Sequence, residues 1–184
     1  MSTNANSMKV ERSDRLVSPK ARASYPTLFK ARAFNETAEP KFSVTLMVKK
    51  DATGNKFIEQ VEAIREQALS KLYPKTRAKN LEIWGVTDGD ENEDPAMRGN
   101  WLVKASSKSR PAVVDASKAE ILDEETIYGG CYIRASLCAK AYGTPSKGGV
   151  TLELVAVQKL EDGEPFSAAE RAKSEAVNEF DDAM

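Results

Sequence analysis

Polar and apolar residues alternate in step along several stretches of the chain, and at helical spacing along one. From Lys41 to Lys49, Phe42, Val44, Leu46 and Val48 share one face, while Lys41, Ser43, Thr45 and Lys49 share the other. That period of two predicts a half-buried strand. Trp101–Ser106 alternates in the same way, and Val113–Val114 marks another short strand. From Cys131 onward, Ile133, Ala135, Leu137, Ala139 and Ala141 extend an apolar row. The opposite row is Tyr132, Arg134, Ser136, Cys138, Lys140 and Tyr142. This strand is too long to stay straight and is expected to bend, with Val150–Leu160 as its hairpin partner beyond Gly148–Gly149. Phe57, Val61, Ile64, Ala68 and Leu72 recur at three- and four-residue steps, which predicts a helix over Asn55–Tyr73, ended by Pro74. Its apolar stripe is expected to plug one end of a sheet or barrel.

The remaining segments are read from local chemistry. A first strand is expected over Arg15–Ser24, bent at Pro19, and Pro26 is expected to hold Tyr25 extended. Leu28 and Phe29 read as core anchors. Residues 1–14 carry little apolar content and are expected to be disordered. Residues 15–166 form the folded domain, and 167–184 an acidic flexible tail with a marginal helix over Ser167–Asn178. The fold class is therefore mainly β with one long helix.

Composition removes whole classes of chemistry. There is no histidine among the 184 residues, so the commonest general base and zinc ligand are both missing. Cys131 and Cys138 fall on opposite faces of one strand and can neither bridge nor hold a metal. No phosphate-binding glycine loop or nucleophile elbow occurs. Catalytic residues, cofactors and metals are all expected to be absent. The acidic loop Asp88–Asp94 fails the calcium-loop spacing, which leaves weak divalent binding as a lesser reading. No apolar run is long enough to span a membrane, and the first residues lack the apolar core of a signal peptide, so the cytoplasm is expected.

Charge then changes the picture. The net charge of −1 hides a strong asymmetry. Arg15, Lys20, Arg22, Lys30, Arg32, Lys41, Lys49 and Lys50 crowd the first third, and acids dominate from Glu161 to the end. A strand face of rings and cations backed by an apolar row suits single-stranded nucleic acid, because bases stack on rings and cations meet phosphates.

Four fragments carry a family resemblance: SYPTLFKARAFNETAEPKFSVTLMVKK, VTDGDENEDPAMRGNWLVKASSKSRPAVVD, IYGGCYIRASLCAKAY and VQKLEDGEPF. In this order and spacing they resemble a family of bacteriophage single-stranded-DNA-binding proteins. The resemblance implies an OB-fold barrel with insertions and an acidic C-terminal tail. It implies a protein that coats and protects single-stranded DNA in the bacterial host, without sequence preference, during replication or recombination. The DNA surface it implies comprises Lys20, Arg22, Lys41, Lys49, Lys108, Arg110, Tyr132, Arg134, Lys140 and Tyr142, and the ring of Tyr25 joins it from the reading of the residues, with core packing as its alternative. The tail departs from the relatives' usual terminal aromatic, since Phe180 is followed by Asp-Asp-Ala-Met, but its charge points to replication or recombination proteins as partners, through Glu179, Phe180, Asp181 and Asp182. Double-stranded DNA stays open as a second ligand and a homodimer as an assembly. The alternative is a non-enzymatic adaptor that uses the barrel for protein contacts.

Overall fold

The computed structural model describes residues 7–182, and of Glu170, Ser174, Asp181 and Asp182 the backbone only. Ten strands and two helices follow in the order β1 (Lys9–Arg12), β2 (Leu16–Val17), β3 (Ala21–Arg32), β4 (Lys41–Lys49), α1 (Ala52–Leu72), β5 (Asn80–Ile83), β6 (Val86–Asp88), β7 (Asn100–Ser107), β8 (Ala112–Val114), β9 (Tyr132–Gly143), β10 (Lys147–Glu161) and α2 (Ala168–Asp182).

Five strands close on themselves. β3 pairs with β4, β4 with β7, β7 with β10, β10 with β9, and β9 returns to β3. Every contact in the ring is antiparallel except β7–β10. This is the five-stranded OB barrel, in which the outer face of the second and third barrel strands, here β4 and β7, is the usual ligand surface. The alternation read in β4 holds. Val44, Leu46 and Val48 are buried inside with Ile133, Leu137, Leu152 and Val157. Each such side chain contributes roughly 1.5–3 kcal/mol on burial.

The helix begins slightly earlier than its apolar spacing suggests. Asp51 caps it by accepting the Gly54 amide at 2.8 Å, and the chain leaves it before Pro74. Phe57, Val61, Ala68 and Leu69 are buried against the barrel. The long hairpin bends where β10 carries an extra residue, between the pairs Leu154–Leu137 and Ala156–Ser136.

Two local expectations give way. Lys9–Arg12 is not disordered but pairs antiparallel with the far half of β9. Its side chains are all exposed, so main-chain bonds hold it, helped by Lys71 donating to the Arg12 carbonyl at 3.0 Å. Composition carries no trace of such support. Tyr25 is not extended before Pro26: its φ is +47°. Between the pairs Ser24–Thr45 and Thr27–Ser43, β3 spends two residues where β4 spends one. The bulge accommodates the missing proline N–H and turns Tyr25 over.

Candidate nucleic-acid interface

The outer row of β4 is Lys41, Ser43, Thr45, Met47 and Lys49, and the outer row of β7 beside it includes Leu102, Lys104 and Ser106. Ser24 and Thr27 of β3 continue the same surface. Its middle is a floor of short hydroxyl side chains, with Thr27 and Ser43 bonded to each other at 3.1 Å. Small side chains there let an extended strand approach the sheet, and Lys41, Lys49 and Lys104 stand exposed around the floor.

One end of the surface opens into a groove of 410 Å³, lined in part by Lys20, Arg22, Lys49 and Tyr132.

 A separate recess of 470 Å³ lies between Asp162–Pro165 and the α2 residues Arg171, Glu175 and Asn178. In the groove, Lys20 reaches over the Tyr132 ring, 4.6 Å from its centroid, and is paired with Glu161. The structure thus brings together four of the residues expected from sequence.

A strap, Asp162–Phe166, crosses the barrel after β10. Arg22 holds it, donating to the Glu164 carbonyl at 2.6 Å and to the Gly130 carbonyl at 3.2 Å. The Arg22 guanidinium also lies 4.3 Å from the Phe166 ring centroid. Phe166 packs on Met47, Met97 and Leu102, an apolar cluster outside the barrel. Gly130 sits at φ +116°, and a Cβ there would collide with the Glu164 carbonyl. The Gly129–Gly130 pair therefore lets the strap lie flat.

Beyond Phe166 the surface opens again, into a cavity of 580 Å³ lined by Tyr25, Thr27, Arg32, Asp94, Met97 and Phe166 among others. Tyr25 is 80% exposed. A non-glycine residue at positive φ costs on the order of 1–3 kcal/mol, and such strain collects at functional sites. Phe34, between β3 and β4, is 91% exposed. Its loop is braced by Asn35, whose side chain accepts the Thr37 and Ala38 amides at 3.0 and 2.7 Å. Phe34 and Lys104 escaped the sequence reading, and Arg32 entered it only as one of the crowded cations of the first third. An aromatic in an otherwise polar loop was the available signal for Phe34.

The other expected residues are dispersed. Lys41 lies at the Phe34 end, opposite Arg32. Lys108 pairs with Glu39 at 2.9 Å, which lowers the Glu39 carboxyl below its usual range. Arg110 lies 5.3 Å from the Phe29 ring centroid. Arg134 donates to Gln158 at 2.6 Å. Lys140 faces Glu153, which also takes Arg12 at 2.8 Å. Tyr142 is half-buried, and burial together with Glu82 pushes its phenol up. The polar row of β9 is thus divided: its first residues pair with β3 and its last with β1. In the tail, Glu179 and Phe180 are exposed on α2, and the side chains of Asp181 and Asp182 lie outside the described residues.

The acidic loop is tied to the barrel end. Lys50 pairs with Asp88 and, at 2.6 Å, with Asp90, and both carboxyls are held below their ordinary range by it. Among the described residues no group of three or more His, Cys, Asp or Glu side chains gathers to hold a metal ion.

Comparison with known proteins agrees with this geometry. Residues 14–184 match the family described as "Enterobacter phage Enc34, ssDNA-binding protein". The "Putative protein p50" of Acyrthosiphon pisum secondary endosymbiont phage 1 is 30% identical over 172 residues, covering 88% of this chain and 89% of that protein. The structure of the single-stranded DNA-binding protein from bacteriophage Enc34 in complex with ssDNA is 28% identical, with a TM-score of 0.67 over 83% of this chain and 89% of that one. The fold is shared with gp2.5, a single-stranded DNA binding protein encoded by bacteriophage T7, at 16% identity and a TM-score of 0.59 over 89% of this chain and 94% of that one. With a strap-covered OB barrel and a family match along nearly its whole length, the chain belongs to the family of the Enterobacter phage Enc34 ssDNA-binding protein.

Proposed function

We propose that this protein binds single-stranded DNA without sequence preference, acting by binding and not by catalysis. It coats and protects strands exposed during replication or recombination of a bacteriophage, in the cytoplasm of the bacterial host. The observation that supports this most is the outer face of β3, β4 and β7. A hydroxyl floor is edged by Lys41, Lys49 and Lys104, and the Tyr25 ring stands out beside it. Cations attract phosphates of any sequence, and every base offers a face to a ring.

The tail supports a second role. Acids dominate from Glu161 onward, and Phe180 is 71% exposed among them. A basic, partly apolar pocket on a replication or recombination protein is the complementary partner.

A titration with poly-dT, run beside a duplex of equal length, tests the reading. Tyr or Trp emission quenches on binding to poly-dT and recovers with added salt. Emission that never changes, with no complex by sedimentation, would overturn it. The duplex arm shows whether double-stranded DNA is a second ligand.

A further inference from the structure

We infer that the cavity between Tyr25 and Phe166 is a nucleobase pocket, so that the root of the C-terminal tail forms one wall of the DNA site. This rests on the single-stranded DNA reading above and adds a residue, Phe166, and a ligand class to it. The cavity measures 580 Å³, within the roughly 300–1,000 Å³ usual for ligand pockets. It sits on the outer face of the barrel strands that OB folds use for oligonucleotides.

The lining chemistry suits a base better than a phosphate. Two rings, Tyr25 and Phe166, and the thioether of Met97 offer polarisable surface to a flat heterocycle. Asp94 also lines the cavity, its carboxylate accepting the Ala96 amide at 2.9 Å. A carboxylate repels phosphate but accepts hydrogen bonds from base N–H groups, and each of the four bases presents at least one such donor. Arg32 supplies the one cation of the lining, suited to the phosphate that follows the base.

Both rings are held for the purpose. The bulge at Tyr25 aims its ring outward at φ +47°. Arg22 and the Gly129 carbonyl, which accepts the Phe166 amide at 3.0 Å, fix the other wall. Phe166 thereby serves two surfaces, with one side on the Met47–Met97–Leu102 cluster and an edge on the cavity.

The test uses the full chain, Phe166→Leu, and dT oligomers with and without abasic positions. Leucine keeps an apolar anchor on the methionines but removes the ring. Affinity for intact dT falls about fivefold or more, the size of one lost base stack, with the melting midpoint close to wild type. Fully abasic oligomers bind both proteins alike. In wild type, 5-iododeoxyuridine oligomers crosslink to Tyr25 or Phe166 on irradiation, a readout that needs no variant. Crosslinks confined to the Lys20–Tyr132 groove, or a folded Phe166→Leu protein that binds dT as wild type does, would overturn the pocket while leaving DNA binding intact. Absence of any wild-type binding would instead remove the reading on which it rests.

Discussion

The phenol of Tyr128 meets the Asp162 carboxylate at 2.9 Å, and the Gly163 amide donates back to the same phenol at 3.1 Å. Lys159 reaches the carboxylate as well, at 2.6 Å, and holds it below its ordinary range. The first residues of the strap are thus pinned independently of Arg22. Removing the hydroxyl in Tyr128→Phe is expected to cost about 1 kcal/mol, the usual net value of a hydrogen bond. That lowers the melting midpoint by about 2–4 °C for a chain of this size. A midpoint equal to wild type would show the strap to be held from elsewhere.

The same phenol gives an alkaline signature. Burial, more than any other cause, pushes Tyr128 up to about 12. A group raised in the fold contributes stability below its unfolded value, near 10, and loses it as pH climbs toward 12. Ultraviolet titration should show a tyrosine ionising near 12, besides the raised Tyr142, and Tyr128→Phe should delete that step. Retention of the late step would assign it to another ring.

At acid pH the sign reverses. Asp88 and Asp90 are lowered in the fold, chiefly by hydrogen bonds to Lys50. Their contribution is present above the ordinary carboxylate value of about 3.9 and disappears as pH falls through the lower folded values. Lys50→Met should therefore destabilise near neutrality, with the gap to wild type narrowing as pH falls below the ordinary carboxylate value. Melting midpoints across that range check it; a constant gap would mean the loss comes from packing on Trp101, 4.5 Å from the Lys50 ammonium to the ring centroid.

Phosphate contacts should follow the barrel face and not the length of β9. If about five cations engage phosphates, the log–log salt slope is near −3.5, at about −0.7 per contact. Lys41→Ala with Lys104→Ala should flatten the slope by about 1.4. Arg134→Ala with Lys140→Ala should change it less, since Gln158 and Glu153 already engage those side chains. Equal flattening by both pairs would return β9 to the DNA track.

Tyr25→Gly should separate stability from function. Glycine accepts positive φ without strain, so stability rises by about 1 kcal/mol. Loss of the ring weakens dT binding by about 1–3 kcal/mol if it stacks. Paired calorimetry and titration read both signs; a destabilised variant would locate the ring's worth in folding.

Periodicity made the local elements legible: the inward row of β4, the stripe of α1 and the β9–β10 hairpin all follow from neighbours in sequence. The strap was not legible, because Arg22 and Phe166 meet only once the barrel closes. Met47 shows the consequence: it stands on the outer row of β4 yet is buried from outside. Tyr25 was misread because a rule for isolated proline dipeptides meets a bulge imposed by β4. Cations were legible as a set, whereas the partners of Lys140 and Lys108 depend on tertiary neighbours.

Only Ser167 separates the anchored Phe166 from the first residue of α2. The helix is therefore tethered at the ligand face and cannot drift from it by more than its own length. If α2 binds a protein, as proposed above, and that protein also holds the strand, the two would meet at an effective concentration on the order of millimolar. A partner that engages the strand as well as α2 would gain from that proximity, and shortening the strap would change its occupancy without touching a single contact it makes.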